Sequence, residues 1–194
     1  MRADVYDSLD DAIEAELSRA SDADDDAPDT SLTIMGESRV DADAMYDFVL
    51  HHNAAFDREI ARQYYEVGRL YGIRGDVALC QAIIETGWFK FGGGTAVVAE
   101  QYNYCGLGVT SKGLKGAGFN SVREGVAAHL QHLYAYATDA PLPEGEGLVD
   151  PRFTYVRRSS APTWGDLDMK WAMNRRYAAS IISLYKKLLD NAGK

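Results

Sequence analysis

The stretch from Gly75 to Trp88, GDVALCQAIIETGW, constrains this chain most. Val77, Ala78, Leu79, Cys80, Ala82, Ile83 and Ile84 would spread around nearly the whole circumference of a helix. Such a helix cannot lie on a surface and has to run through a core. The pattern predicts a start after Asp76 and an end at Gly87, the residue type that most easily takes the left-handed turn closing a helix. One acid, Glu85, falls in the last turn. Ile84, Trp88 and Phe89 would partly desolvate its carboxyl, and the C-terminal end of a helix carries negative partial charge. Both effects disfavour the charged form and raise the pKa. A glutamic acid kept protonated near neutral pH is what a general acid requires. A helix-end Glu that simply points into water is the alternative, and the local pattern leaves both readings open.

Other helices follow from the same periodicity. DADAMYDFVLHHN, with an Asp N-cap, places Met45, Phe48 and Val49 on one face. FDREIARQYYEVGRLYG aligns Ile60, Tyr64, Val67 and Leu70/Tyr71 and stops at Gly72. SVREGVAAHLQHLYAYAT opens with a Ser121–Glu124 capping box and turns Val126, Leu130, Leu133 and Tyr134 inward. TWGDLDMKWA reads as a short helix, and YAASIISLYKKLLDNAG as the closing one, with Ile181, Ile182, Tyr185 and Leu188/Leu189 in its apolar stripe. The glycine- and tyrosine-rich run from Phe91 to Phe119 reads as loops with a small hairpin. The expectation is a mainly α (α+β) domain, a helical body with a small β-hairpin/loop lobe. Glu85 lies at the seam between them.

Charge divides the chain. The 194 residues carry a net charge of −9, but residues 1–43 hold 14 acids and 3 bases, which leaves the remainder close to neutral at +2. SDADDDAPDTS, Ser21 to Ser31, is acidic, small and proline-interrupted, a composition that favours disorder. Residues 1–40 are therefore read as an acidic, flexible segment or linker and 41–194 as the folded domain. Within the segment, Val5, Leu9, Ile13 and Leu17 sit at roughly helical spacing. No apolar run reaches the ~20 residues of a membrane span, and the N-terminus lacks the apolar core of a signal peptide. Two cysteines, Cys80 and Cys105, make neither a disulfide framework nor a zinc spacing; they read as small buried residues, with a single bridge between them left open.

CQAIIETGWFKFGG, followed eighteen residues after its Glu by NYCGLG, resembles the glucosaminidase domain of glycoside hydrolase family 73. The resemblance rests on Gln81, Glu85, Thr86, Gly87 and Trp88, and on Asn103, Tyr104, Cys105 and Gly106. It continues in KGAGFNSVREGVAAH, which looks like the Phe-x-Ser-x-x-acid segment, and in KWAMNRRYAASII, which supplies Tyr177. It covers about residues 41–190. It implies a lysozyme-like fold, cleavage of the β-1,4 bond after N-acetylglucosamine in peptidoglycan, Glu85 as proton donor, and no metal or organic cofactor. The expected partner is the peptidoglycan glycan strand, met at the cell wall by a monomer without nucleic-acid contacts. With no signal peptide in view, the expected routes there are phage-type release or residence in a longer exported protein.

The second catalytic group is less evident. Many members of the family place another acid in the hairpin, but GVTSKGLKGAG holds none. Glu100, just before QYNY, is the favoured candidate; Glu124, Asp166 and Asp168 are the others, Glu124 being also a capping-box residue. The family also permits assistance by the substrate's own 2-acetamido group, with Tyr177 positioning it. A sugar cleft needs flat apolar walls, for which Trp88, Phe91, Tyr102, Tyr104, Trp164, Trp171 and Tyr177 are candidates, and polar anchors, for which Asn103 is one. Trp88, Tyr102, Asn103, Tyr104 and Trp171 are taken as the substrate-binding set. His129 and His132, three apart, lack a third ligand at a metal spacing and read as a half-exposed helix face. His51-His52, Arg157–Ser160 and Asn174–Arg176 read as solvated surface. The rival functions are a muramidase or lytic transglycosylase using the same Glu, and a non-catalytic wall-binding module.

Overall fold

The computed structural model describes residues 28–92, 97–109 and 116–194. The helix expected over residues 5–19, most of the acidic segment, and residues 110–115 of the expected hairpin lie outside these ranges. The architecture is mainly helical: α1 (Ala42–Leu50), α2 (Arg58–Tyr71), α3 (Gly75–Thr86), α4 (Val122–Ala137) and α5 (Tyr177–Asn191), with three single turns of 3-10 helix. Among the described residues the only β pairing is in isolated bridges.

Local chemistry sets the ends of these helices. Asp41 and Asp57 accept the free N–H groups of Ala44 and Glu59 at the starts of α1 and α2. Gly72 and Gly87 close α2 and α3 in the left-handed conformation. Helix α3 begins two residues earlier than its pattern suggests, with Asp76 inside the first turn. Asp76 is fully buried there and accepts from the Arg39 backbone (2.6 Å) and the Tyr185 hydroxyl (3.1 Å), so it ties both the preceding chain and α5 to the core helix.

Helix α3 runs through the interior as its apolar circumference requires; Leu79 and Ile83 are enclosed, each contributing roughly 1.5–3 kcal/mol by burial. It crosses α2 closely because Gly75 has no side chain: a Cβ there would lie 2.0 Å from the Tyr64 carbonyl oxygen. Helix α4 is also interior, which its stripe alone did not convey. Gly125, Ala127, Ala128, His129, Gln131, Ala135 and Ala137 are buried along with the four expected inward residues. The folded chain starts before the composition shift at Asp41: Ile34 and Val40 are buried, and Thr33 and Met35 bridge to Thr163 and Ile73.

The expected helix over TWGDLDMKWA is absent. Only Gly165–Leu167 makes a 3-10 turn. Asp166 folds back to accept from the Thr163 backbone and hydroxyl, Gly165 lies against Thr30, and Met169 takes a left-handed φ of 61° that no helix continues through. The segment therefore buries Trp164 in the core and leaves Trp171 half-buried against it. Cys105, Leu107 and Phe119 of the loop lobe form a small apolar cluster against Ala128 of α4. Both cysteines are buried free thiols, so no bridge joins Cys80 to Cys105.

Candidate active site

Glu85 ends α3 where the chain leaves the helical body. Thr86 fixes the exit: its hydroxyl donates to the Ala82 carbonyl (2.6 Å) and accepts from the Phe89 N–H (3.0 Å), while its carbonyl accepts from Phe91 (3.1 Å). The price of this tight turn is backbone strain. Trp88, Phe89 and Phe91 have φ of 62°, 56° and 49°, a region non-glycine residues rarely occupy, at a cost of order 1 kcal/mol or more each. Tyr102, across from them, has φ 49°. Such outliers concentrate where geometry serves a site.

The carboxyl of Glu85 is held by groups from the far end of the chain. The Tyr177 hydroxyl, at the first position of α5, donates to Oε1 in a short hydrogen bond, and Trp171 donates to the carboxyl as well. Oε2 faces Gly106, where a Cβ would sit 3.9 Å away, so the NYCGLG loop lies directly over the acid. The side chain keeps part of its surface open while protein encloses the carboxyl. Burial pushes the pKa up to about 7, against the opposing pull of the Tyr177 and Trp171 hydrogen bonds. The Tyr177 phenol is itself pushed well above its usual range, by burial first and by Glu85 second, so it stays a donor.

Behind Tyr177 the polar contacts continue through the core. Gln81 Nε2 donates to the Tyr177 oxygen (2.8 Å), His129 Nε2 meets Gln81 Oε1 (3.0 Å), and the Tyr64 hydroxyl meets His129 Nδ1 (2.7 Å). His129 is not on a half-exposed face; it is completely buried, and desolvation drives its pKa down to about 3, so it is neutral. His132 is mostly buried too, pairing with the enclosed Asp150 (2.8 Å) and packing edge-on against Trp171. Among the described residues no cluster of three His, Cys, Asp or Glu side chains could hold a metal ion.

The remaining sequence candidates separate. Glu100 is exposed on the 3-10 turn Ala99–Gln101 of the loop lobe. Glu124 accepts from the backbone and side-chain N–H groups of Asn120 and caps α4. Asp168 accepts the Ala178 N–H (2.8 Å) and so caps the helix that presents Tyr177. Asn103 is wholly buried: its amide donates to the Leu107 and Ala117 carbonyls (2.9 Å each) and its oxygen accepts from Leu107 N–H (3.0 Å). In this position Asn103 shapes the loop over Glu85, and no hydrogen bond joins it to the acid. Tyr104 is buried edge-on against Tyr64 and Phe89. Trp88 and Tyr102 are half-buried; His52, exposed as its surface reading expected, also stacks flat on the Trp88 ring at 3.6 Å. Sequence reasoning also passed over Tyr64 and the depth of His129. The run of small residues around His129, Gly125 to Ala128, was the available signal that its helix is packed on all sides.

A helical body whose central helix ends in one enclosed glutamic acid beneath a loop lobe is the lysozyme-like kind of glycoside hydrolase. Over residues 61–190 the chain matches the glucosaminidase family, described as mannosyl-glycoprotein endo-beta-N-acetylglucosaminidase, and it belongs to that family. It is also 34% identical over 167 residues, covering 83% of this chain and 80% of the other, to an uncharacterized protein of Borreliella burgdorferi. The chain is accordingly a glycan-cleaving hydrolase of peptidoglycan, of the endo-β-N-acetylglucosaminidase type. Among the described residues no helix is long and apolar enough to cross a membrane.

Proposed function

We propose that this enzyme cleaves the β-1,4 bond that follows N-acetylglucosamine in the glycan strand, with Glu85 as the general acid. The observation that supports this most is the state of the Glu85 carboxyl: enclosed, with a pKa near 7, and engaged at Oε1 by the Tyr177 hydroxyl. A carboxyl protonated around neutral pH can hand its proton to the departing glycosidic oxygen as the C1–O bond breaks. With Oε1 accepting from Tyr177, the proton resides on Oε2, the oxygen on the Gly106 side. The oxocarbenium-like centre left at C1 needs a partner. Glu100 is the protein group we assign to it, as base or nucleophile; the substrate's acetamido oxygen is the alternative partner. Trp171, half-buried beside Glu85, and the half-buried faces of Trp88 and Tyr102 serve as walls for the sugar rings.

The test is digestion of purified peptidoglycan by the wild type and by Glu85→Gln, with mass spectrometry of borohydride-reduced products. The expected result is fragments ending in reduced N-acetylglucosamine from the wild type and none from the variant. Reduced or anhydro muramic ends would reassign the bond cleaved, and undiminished cleavage by Glu85→Gln would remove Glu85 from the chemistry.

A further inference from the structure

The buried polar chain behind the acid has a direction, and one fact sets it. The Tyr177 oxygen accepts from Gln81 Nε2, an amide nitrogen that can only donate, so the phenolic hydrogen is left for Glu85 Oε1. The other end of the Gln81 amide, Oε1, can only accept, so His129 Nε2 must carry a hydrogen. A neutral imidazole then has a bare Nδ1, and the hydroxyl of Tyr64 must donate to it. Four hydrogen bonds, drawn from α2, α4, α3 and α5, thus all point toward one carboxyl oxygen. Tyr64, Gln81, His129 and Tyr177 are each buried, so water does not compete for any of these bonds. Donors aligned in series polarise one another, and a buried network in which every group is satisfied holds one arrangement.

We propose that Tyr64 and His129 are positioning residues of the reaction: through Gln81 they hold Tyr177 as a one-way donor to Glu85 Oε1 and so keep the acidic proton on Oε2, the oxygen facing the loop lobe. This rests on Glu85 being the general acid. Without the chain, the Gln81 amide is free to turn over, the Tyr177 hydroxyl can rotate away, and the proton is shared between the two carboxyl oxygens. The chain also favours the carboxylate, so breaking it raises the pKa of Glu85 and moves the alkaline limb of the activity profile upward. The other ionisable groups packed around the acid do not supply this effect. Burial raises the Cys105 thiol and the Tyr64 and Tyr177 phenols, His129 is neutral, and the His132–Asp150 pair lies behind Trp171.

Tyr64→Phe removes one oxygen, four hydrogen bonds from the carboxyl. In this variant, kcat on soluble uncross-linked glycan strands is expected to fall about tenfold, KM to stay within about twofold, and the alkaline limb to move up. His129→Phe should fall further, and His129→Gln, which can both donate and accept, should recover part of the loss. Ring 15N spectra of the wild type, with the His129 signal assigned by its loss in His129→Gln, should show the Nε2–H tautomer across the working pH range. A folded Tyr64→Phe with wild-type kcat and pH limb, while Glu85→Gln is inactive, overturns the positioning role and leaves the general acid standing. An Nδ1–H tautomer overturns it too, because the chain would then run the other way. Activity in Glu85→Gln would instead remove the reading on which it rests.

Discussion

Glu85 and Glu100 are two carboxylic acids of the same type placed in opposite surroundings. Glu85 is enclosed, bonded by side chains from the far end of the sequence, and pushed up to about 7. Glu100 stands exposed on one turn of 3-10 helix in the loop lobe. Their surroundings, not their residue type, set them apart. Desolvation raises the pKa of the first, which suits it to the proton-donor role proposed above, whereas the second lies open to solvent. The difference also falls between the two parts of the molecule. The helical body holds its acid with a fully satisfied buried network, whereas the loop lobe carries its acid exposed on a short turn.

The sharpest break in this comparison is Glu85→Gln, expected to lower kcat by about 10³-fold while the protein stays folded, read as reducing ends released from peptidoglycan. Glu100→Gln is expected to cost about 10²-fold with the unfolding midpoint unchanged, since the side chain is exposed. A full rate in that variant would transfer its role to the substrate's acetamido group. Asn103→Ala removes three hydrogen bonds inside the buried loop and leaves the Leu107 N–H without its partner, and should destabilise by about 2–3 kcal/mol, measured by urea unfolding. Trp171→Phe removes one donor to Glu85, so the alkaline limb of kcat/KM, near pH 7 in the wild type, should move upward with a severalfold loss of rate.

The remaining effect is one of stability, not of rate. Between about pH 4.5 and 7 the folded protein keeps Glu85 protonated while the unfolded chain has released that proton. The folded state binds more protons there, so stability falls as pH rises through this window. Glu85→Gln removes the dependence. It should therefore stabilise the enzyme above pH 7, by about 3 kcal/mol, and leave it unchanged near pH 4. A pH-independent difference in unfolding free energy between the two proteins would contradict the raised pKa.

Much of the fold around Glu85 was legible because its signals are local. An apolar circumference forces α3 inside, Gly87 ends it, and Glu85 must then stand at the exit. The capping residues Asp41, Asp57, Ser121 and Glu124 do what their positions suggest, since each acts within four residues of itself. The failures are equally physical. TWGDLDMKWA has a helical pattern, but Asp166 and Thr163 bond each other and Gly165 packs on Thr30, so contacts made elsewhere override propensity. Asn103 looked like a sugar ligand because its residue type and motif allow it; only the fold shows its amide occupied by the loop. His129 looked half-exposed because a helical stripe predicts one covered face, and α4 is covered nearly all round.

By itself, then, the sequence determined a helical enzyme of the glucosaminidase family with Glu85 at the end of a core helix, because period, caps and motif spacing are properties of neighbouring residues. Tertiary structure alone decided what that acid is. Tyr177 lies 92 residues away, Trp171 86, and Tyr64 and His129 reach it only through Gln81. A pKa depends on which groups exclude water from a carboxyl and which donate to it, and those groups meet only when α2, α3, α4 and α5 pack together.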